Sequence, residues 1–199
     1  MRTPVPRAGL SRAAVVAAGA ELADEVGFAD LTMGLLAARV GVKTPSLYKH
    51  VVSLDALRRG IGIQAKQELG NVLARAAVGR SGADAVRAIA DAHRSWALEH
   101  PGRYAATVRA PAADDEEDRR VSDEALQVFF DVLAGFGLRD ARAVDAARTL
   151  RSALHGFVSL EGAGGFGLPR DVTGSYRFLV DSLVAGLQAE RPAPESRSR

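Results

Sequence analysis

TMGLLAARVGVKTPSLYKH, residues Thr32 to His50, reads as two short helices joined by a tight turn. Thr32 is a good N-cap, so a helix can start at Met33. Leu36, Ala37 and Val40 give that helix an inner face. Gly41 ends it, because glycine reaches positive φ without a steric penalty. Thr44 and Pro45 restart the chain as N-cap and first helical residue, where the missing proline N–H does no harm. Leu47 and Val51, one turn apart, point back at the first helix. Lys43, Thr44, Ser46, Tyr48, Lys49 and His50 are left facing outward or sideways. Apolar residues behind and basic, hydroxyl and aromatic residues in front are what a DNA major groove accepts.

The rest of the chain reads as helix as well. Upstream, a helix is predicted from about Leu10 to Val26, with Val15, Ala18, Leu22 and Val26 inward, and Gly27-Phe28 stops it. Residues 1–9 have no periodicity; they are either a frayed tail or an arm whose Arg2 and Arg7 touch phosphate or the minor groove. Downstream, Ser53 caps a helix to about Ala77 that is weakened by Gly60, Gly62 and Gly70. After a break at residues 78–82, Val86, Ile89, Ala90, His93, Trp96 and Ala97 form one stripe of a helix over about 83–99. Tyr104 to Arg109 makes one or two turns. The acidic run Asp114 to Asp118 reads as a solvated loop and a dipole-matched start for a helix over about 117–136. Helices over about 140–163 and 172–190 follow, separated by a glycine-rich connection at 162–167. This loop has neither the preceding strand nor the lysine of a phosphate-binding loop. The last helix carries an apolar band too wide for one packed side, which points to a partner subunit. Residues 191–199 read as a disordered tail.

Composition agrees. No stretch alternates in the manner of a strand, so the fold class is all-α, with about nine helices. The absence of cysteine excludes disulfides and thiolate metal sites, and no metal or cofactor is expected. No run of eighteen apolar residues exists and the N-terminus lacks an apolar signal core, so a soluble, cytoplasmic protein with no membrane partner is expected. Net charge is +2, yet residues 1–60 alone carry +3 and the remainder −1. The positive end coincides with the helix pair, as phosphate binding requires.

The run Gly27-Phe28, Leu31-Thr32-Met33, Leu36-Ala37, Gly41-Val42, Leu47-Tyr48-Lys49-His50 resembles, in spacing and identity, the N-terminal domain of the TetR family of bacterial transcriptional regulators. The resemblance runs from about Leu10 to Leu57. It implies a helix-turn-helix domain over residues 1–53 and a helical effector-binding and dimerisation domain over 54–190. Leu154-His155-Gly156-Phe157 resembles the Trp-His-Gly segment of one group of such C-terminal domains, with leucine in place of the tryptophan.

By that resemblance Tyr48 and His50 contact the phosphate backbone, and Thr44, Pro45 and Lys49 face base edges beside Ser46. Lys43 and Thr32 add phosphate contacts. Gly34 and Leu54 depart from the pattern, since relatives often carry contacting side chains at both places. The expected partners are a double-stranded DNA operator, a small-molecule effector and a second copy of the chain. A homodimer would set two recognition helices about 34–36 Å apart on a pseudo-palindrome. Its interface candidates are Gly156, Leu160, Phe178, Leu179, Leu183, Gly186 and Leu187. The effector candidates are His93, Trp96, Tyr104, Phe129, Phe130, His155 and Phe157. The expected function is a repressor released by its ligand. The alternative is a ligand-binding helical module that has lost specific DNA recognition. An enzyme is not expected, since no Ser-His-Asp spacing, metal cluster or nucleotide loop is found.

Overall fold

The computed structural model of the chain describes residues 10–190. The proposed arm at 1–9 and tail at 191–199 lie outside the described residues. Among the described residues the fold is all-helical, with nine helices. They are α1 (Arg12–Val26), α2 (Met33–Val40), α3 (Thr44–Leu47), α4 (Leu54–Ala77), α5 (Gly82–Glu99), α6 (Pro101–Thr107), α7 (Glu116–Ala134), α8 (Asp140–Gly162) and α9 (Val172–Ala189).

Two compact units form. The first contains the described residues up to Glu68 together with Glu99–Ser122; the second contains Leu69–Leu98 and the described residues from Asp123. The division between these units falls inside α4.

The first unit is built on α1. Ser11 caps it by accepting from the Ala14 N–H at 3.2 Å. Its buried side is Val15, Val16, Gly19, Ala20, Leu22 and Ala23, two adjoining rows at helical spacing. Val26, expected on the inner stripe, is the last residue of the helix and is exposed. Leu31, Leu36, Leu47, Val51, Leu57 and Ile61 join this core. The short α6 packs on α1, which is why Glu99–Ser122 belongs to this unit. The approach is close at Gly102, where an added Cβ would stand 2.0 Å from the Ala23 carbonyl oxygen. Asp24 completes the seat. Its carboxylate accepts from the Arg103 backbone N–H at 2.8 Å and pairs with the Arg103 Nε at 2.9 Å.

The glycines of α4 do not break it. Gly60 lets α4 lie against Val16, whose Cγ2 would be 2.9 Å from an added Cβ. Helix propensity is overridden here by close packing.

The acidic run starts α7 as expected, with Glu116, Glu117 and Asp118 in its first turn, but Asp115 and Asp118 are half-buried and not solvated. Asp115 and Glu117 hold Arg59, at 2.5 and 2.9 Å, and Asp118 holds the buried Lys66 at 2.6 Å. Ser122 takes a further Lys66 proton at 3.0 Å. Cations about one and three turns into α4 recruit the carboxylates, a pairing invisible to local dipole reasoning. Arg59 and the N–H of Asp118 hold the Asp115 carboxyl down at about 2.

The second unit has a core of Leu73, Val86, Ile89, Phe129, Leu133, Phe136, Leu150 and Val184, among others. A second cluster joins Ala90, Leu154, Tyr176 and Val180. The buried Tyr176 hydroxyl donates to the Ala90 carbonyl at 2.6 Å, satisfying the one polar atom that burial would otherwise strand.

Candidate nucleic-acid interface

Thr32 caps α2 by accepting from the Leu35 N–H at 3.2 Å, as the sequence predicts. Its hydroxyl is exposed and keeps its own proton available to donate. Gly41 is left-handed, with φ +73°, and ends α2 as predicted. The start of α3 differs by one residue. Lys43 is the N-cap, extended and without a side-chain cap bond, Thr44 is the first helical residue and Pro45 the second. Proline is tolerated there because the N–H groups of the whole first turn lack intrahelical acceptors.

Leu47 and Val51 are buried, at 0% and 2% exposure, and Leu36 and Ala37 meet them in one core. That anchoring turns the opposite side of α3 outward. Tyr48 is 49% exposed, and Lys43, Pro45 and Lys49 are exposed with it. Thr44, Ser46 and His50 are half-buried at the edges of the same face. The eight predicted contact residues therefore share one unit, with both lysines unburied. Among the departures, Gly34 is exposed, with only the Thr32 hydroxyl near its missing Cβ. Leu54 packs at the edge of the core.

Two arginines missed by the sequence reading brace this platform. Arg39 of α2 forms a two-pronged pair with Glu25 of α1, at 2.5 and 2.8 Å. That pairing raises the already high Arg39 pKa. Arg58 of α4 donates to the Ala29 carbonyl at 2.9 Å. Neither contact has a local sequence signal, since partners lie 14 and 29 residues apart.

The effector candidates fall in both units. Tyr104 lies in the first unit and the other six in the second. Phe129 is part of the main core there. Phe157 stacks edge-on against Tyr176 at 5.0 Å and meets Phe166 at 4.7 Å. His93 and Trp96 are both 6% exposed on the predicted stripe. Burial pushes the His93 pKa down to about 4, and neighbouring His155 and Arg151 add to the shift. Beside this region Arg94 makes a two-pronged pair with Glu161 at 2.6 and 2.8 Å and lies over the Tyr176 ring at 5.0 Å. An open cavity of about 460 Å³ lies elsewhere in this unit, between α7 and α8. Phe130 lines it with Leu138, Ala143, Val144, Asp131 and Asp140. Phe130 is the one effector candidate that it includes.

Of the interface candidates, Phe178 is 75% and Leu160 52% exposed, and nothing lies within 4 Å of where a Cβ on Gly156 or Gly186 would stand. Leu179 is half-buried. Leu187 is 7% exposed and belongs to its own unit's core, with Leu183 packed at the edge of that core. The last helix thus spends part of its wide apolar band internally, at Tyr176, Val180, Val184 and Leu187.

The family model described as "Bacterial regulatory proteins, tetR family" matches residues 15–59, and the one described as "Tetracyclin repressor-like, C-terminal domain" matches 86–183. The HTH-type transcriptional regulator Rv0681 of Mycobacterium tuberculosis is 39% identical over 91% of this chain and 83% of its own. The chain belongs to the tetR family of bacterial regulatory proteins. The HTH-type transcriptional regulator YobS of Bacillus subtilis is 31% identical over 92% of this chain and 95% of its own. The solved structure of BioQ with its natural double-stranded DNA operator is 25% identical, covers 92% of this chain and all of that one, and has a TM-score of 0.66. This tetR-family chain is a DNA-binding helix-turn-helix transcriptional regulator, and the platform bearing Tyr48 and Lys49 is its helix-turn-helix. No helix among the described residues is long and apolar enough to cross a membrane.

Proposed function

We propose that the chain is a cytoplasmic repressor that binds a pseudo-palindromic operator as a homodimer and leaves it when a small molecule occupies the second unit. The observation that carries the DNA half is the outward set of Lys43, Tyr48 and Lys49 flanking α3, in a segment whose other side is anchored by Leu47 and Val51. Tyr48 and His50 donate to phosphate oxygens, Lys49 reaches a guanine edge, and Thr44, Pro45 and Ser46 fill the space against neighbouring bases. One such helix reads too few base pairs to find a site in a genome, and a second copy doubles the reading.

Phe178, Leu160 and the open glycines 156 and 186 support a self-complementary contact through α8 and α9. The cavity by Phe130 has a volume within the range of small-molecule sites and supports an effector in the same unit. Release follows if the effector favours the state that fits the operator poorly.

The test is selection from a random duplex library at about 0.15 M salt, where non-specific contacts are weak. Wild type and Tyr48→Ala run side by side. An enriched pseudo-palindrome that the variant loses is the expected result. No enrichment by the wild type would favour a helical ligand-binding module without specific recognition, the reading to which Gly34 and Leu54 lend weight.

A further inference from the structure

Arg58 belongs to the basic end of the chain, yet its guanidinium is turned inward. Nη2 donates to the Ala29 carbonyl at 2.9 Å and reaches the Leu31 carbonyl at 3.4 Å. Its Cζ lies 5.9 Å from the centre of the Phe28 ring. Its Nε is buried without a hydrogen-bond partner, so this placement is not the one that best satisfies the guanidinium. All three contacted residues lie in the connection between α1 and α2. The residue that follows them is Thr32, the exposed cap of α2.

We propose that Arg58 is a positioning residue for DNA binding, acting through Thr32. The inference rests on the phosphate contact assigned above to Thr32. In a trans peptide the C=O and the following N–H point to opposite sides. Drawing the Leu31 carbonyl toward Arg58 therefore orients the peptide that leads into Thr32. Two carbonyls and a ring face held by one planar group define a position and an angle. An ammonium on a flexible stem, being a point charge, cannot reproduce that. The guanidinium thus sets where the Thr32 hydroxyl stands relative to a phosphate. It makes no DNA contact itself.

Arg58→Lys keeps the charge and removes the geometry, and Arg58→Met removes both. Each is compared with Thr32→Val and with the Arg58→Lys/Thr32→Val double variant in the full chain. Two readouts are taken. One is affinity for the selected duplex. The other is amide hydrogen exchange at Leu35, whose N–H bonds the Thr32 hydroxyl. We expect Arg58→Lys and Thr32→Val each to weaken duplex binding about tenfold, the size of one charge-assisted hydrogen bond. The double variant should be no weaker than Thr32→Val alone, since both changes remove the same contact. Leu35 exchange should quicken in Arg58→Lys, while the buried Leu57 and Ile61 exchange as in the wild type. Losses that multiply in the double variant, or Leu35 exchange unchanged in both Arg58 variants, would overturn the proposal. Exchange is measured without DNA, so faster Leu35 exchange beside a wild type that selects no duplex would count against the DNA reading and not against the role of Arg58 in placing the cap.

Discussion

His93 makes acid the sharpest probe of the second unit. Its imidazole is 6% exposed on the apolar stripe of α5, and burial together with His155 and Arg151 lowers its pKa from 6.5 to about 4. In the unfolded chain the same group titrates near 6.5. Between pH 6.5 and 4 the unfolded state therefore binds a proton that the folded state refuses. Stability must rise with pH through that window and level off above it. At about 1.4 kcal/mol for each tenfold, the whole loss is about 3 kcal/mol, of which about 2 kcal/mol is already gone at pH 5. Urea denaturation at pH 7.5 and pH 5.0, at fixed ionic strength and protein concentration, reads this difference directly. His93→Leu keeps the apolar stripe and removes the titration; His93→Gln keeps a neutral polar group should the leucine pack poorly. In both variants the stability difference between the two pH values should shrink by about 2 kcal/mol, whatever their stability at neutral pH. The same pH dependence in wild type and both variants would refute the reasoning. Asp115, whose pairing is lost only as pH falls from about 3.8 toward 2, does not contribute between these two pH values.

Other consequences follow from particular contacts. Gly102→Ala drives a methyl into the Ala23 backbone, which cannot swing aside as a side chain can. A loss of about 3 kcal/mol is expected, lowering the thermal midpoint by roughly 6–12 °C. Lys66→Met leaves the Asp118 carboxylate without its cation and should cost about 3 kcal/mol in denaturant unfolding. Adding Asp118→Leu should return most of that loss, and a double variant as unstable as the single would contradict the pairing. Phe178→Glu places a charge on the 75% exposed ring position. It should convert a dimer to a monomer in sedimentation while leaving the helical content unchanged, and a dimer that survives would move the interface away from α9.

The helix-turn-helix was legible in the sequence because its determinants are local. A cap, a left-handed glycine and two apolar residues one turn apart define α2, the turn and α3 within twenty residues. The same periodic reasoning located the inward side of α5, down to His93 and Trp96. Where a choice depended on partners far along the chain, the residues alone were mute. Arg58 looks like one more phosphate-seeking cation until α4 brings it to Ala29, Leu31 and Phe28. Asp114 to Asp118 look solvated until Arg59 and Lys66 stand beside them, more than fifty residues away in sequence. Leu187 and Phe178 are both apolar residues of one helix, but only packing tells which is spent on the core and which stays exposed. Local sequence specifies backbone conformation and the side of each helix that avoids water. Only the tertiary structure decides which buried side meets which charge, because that pairing is settled when distant segments are brought together.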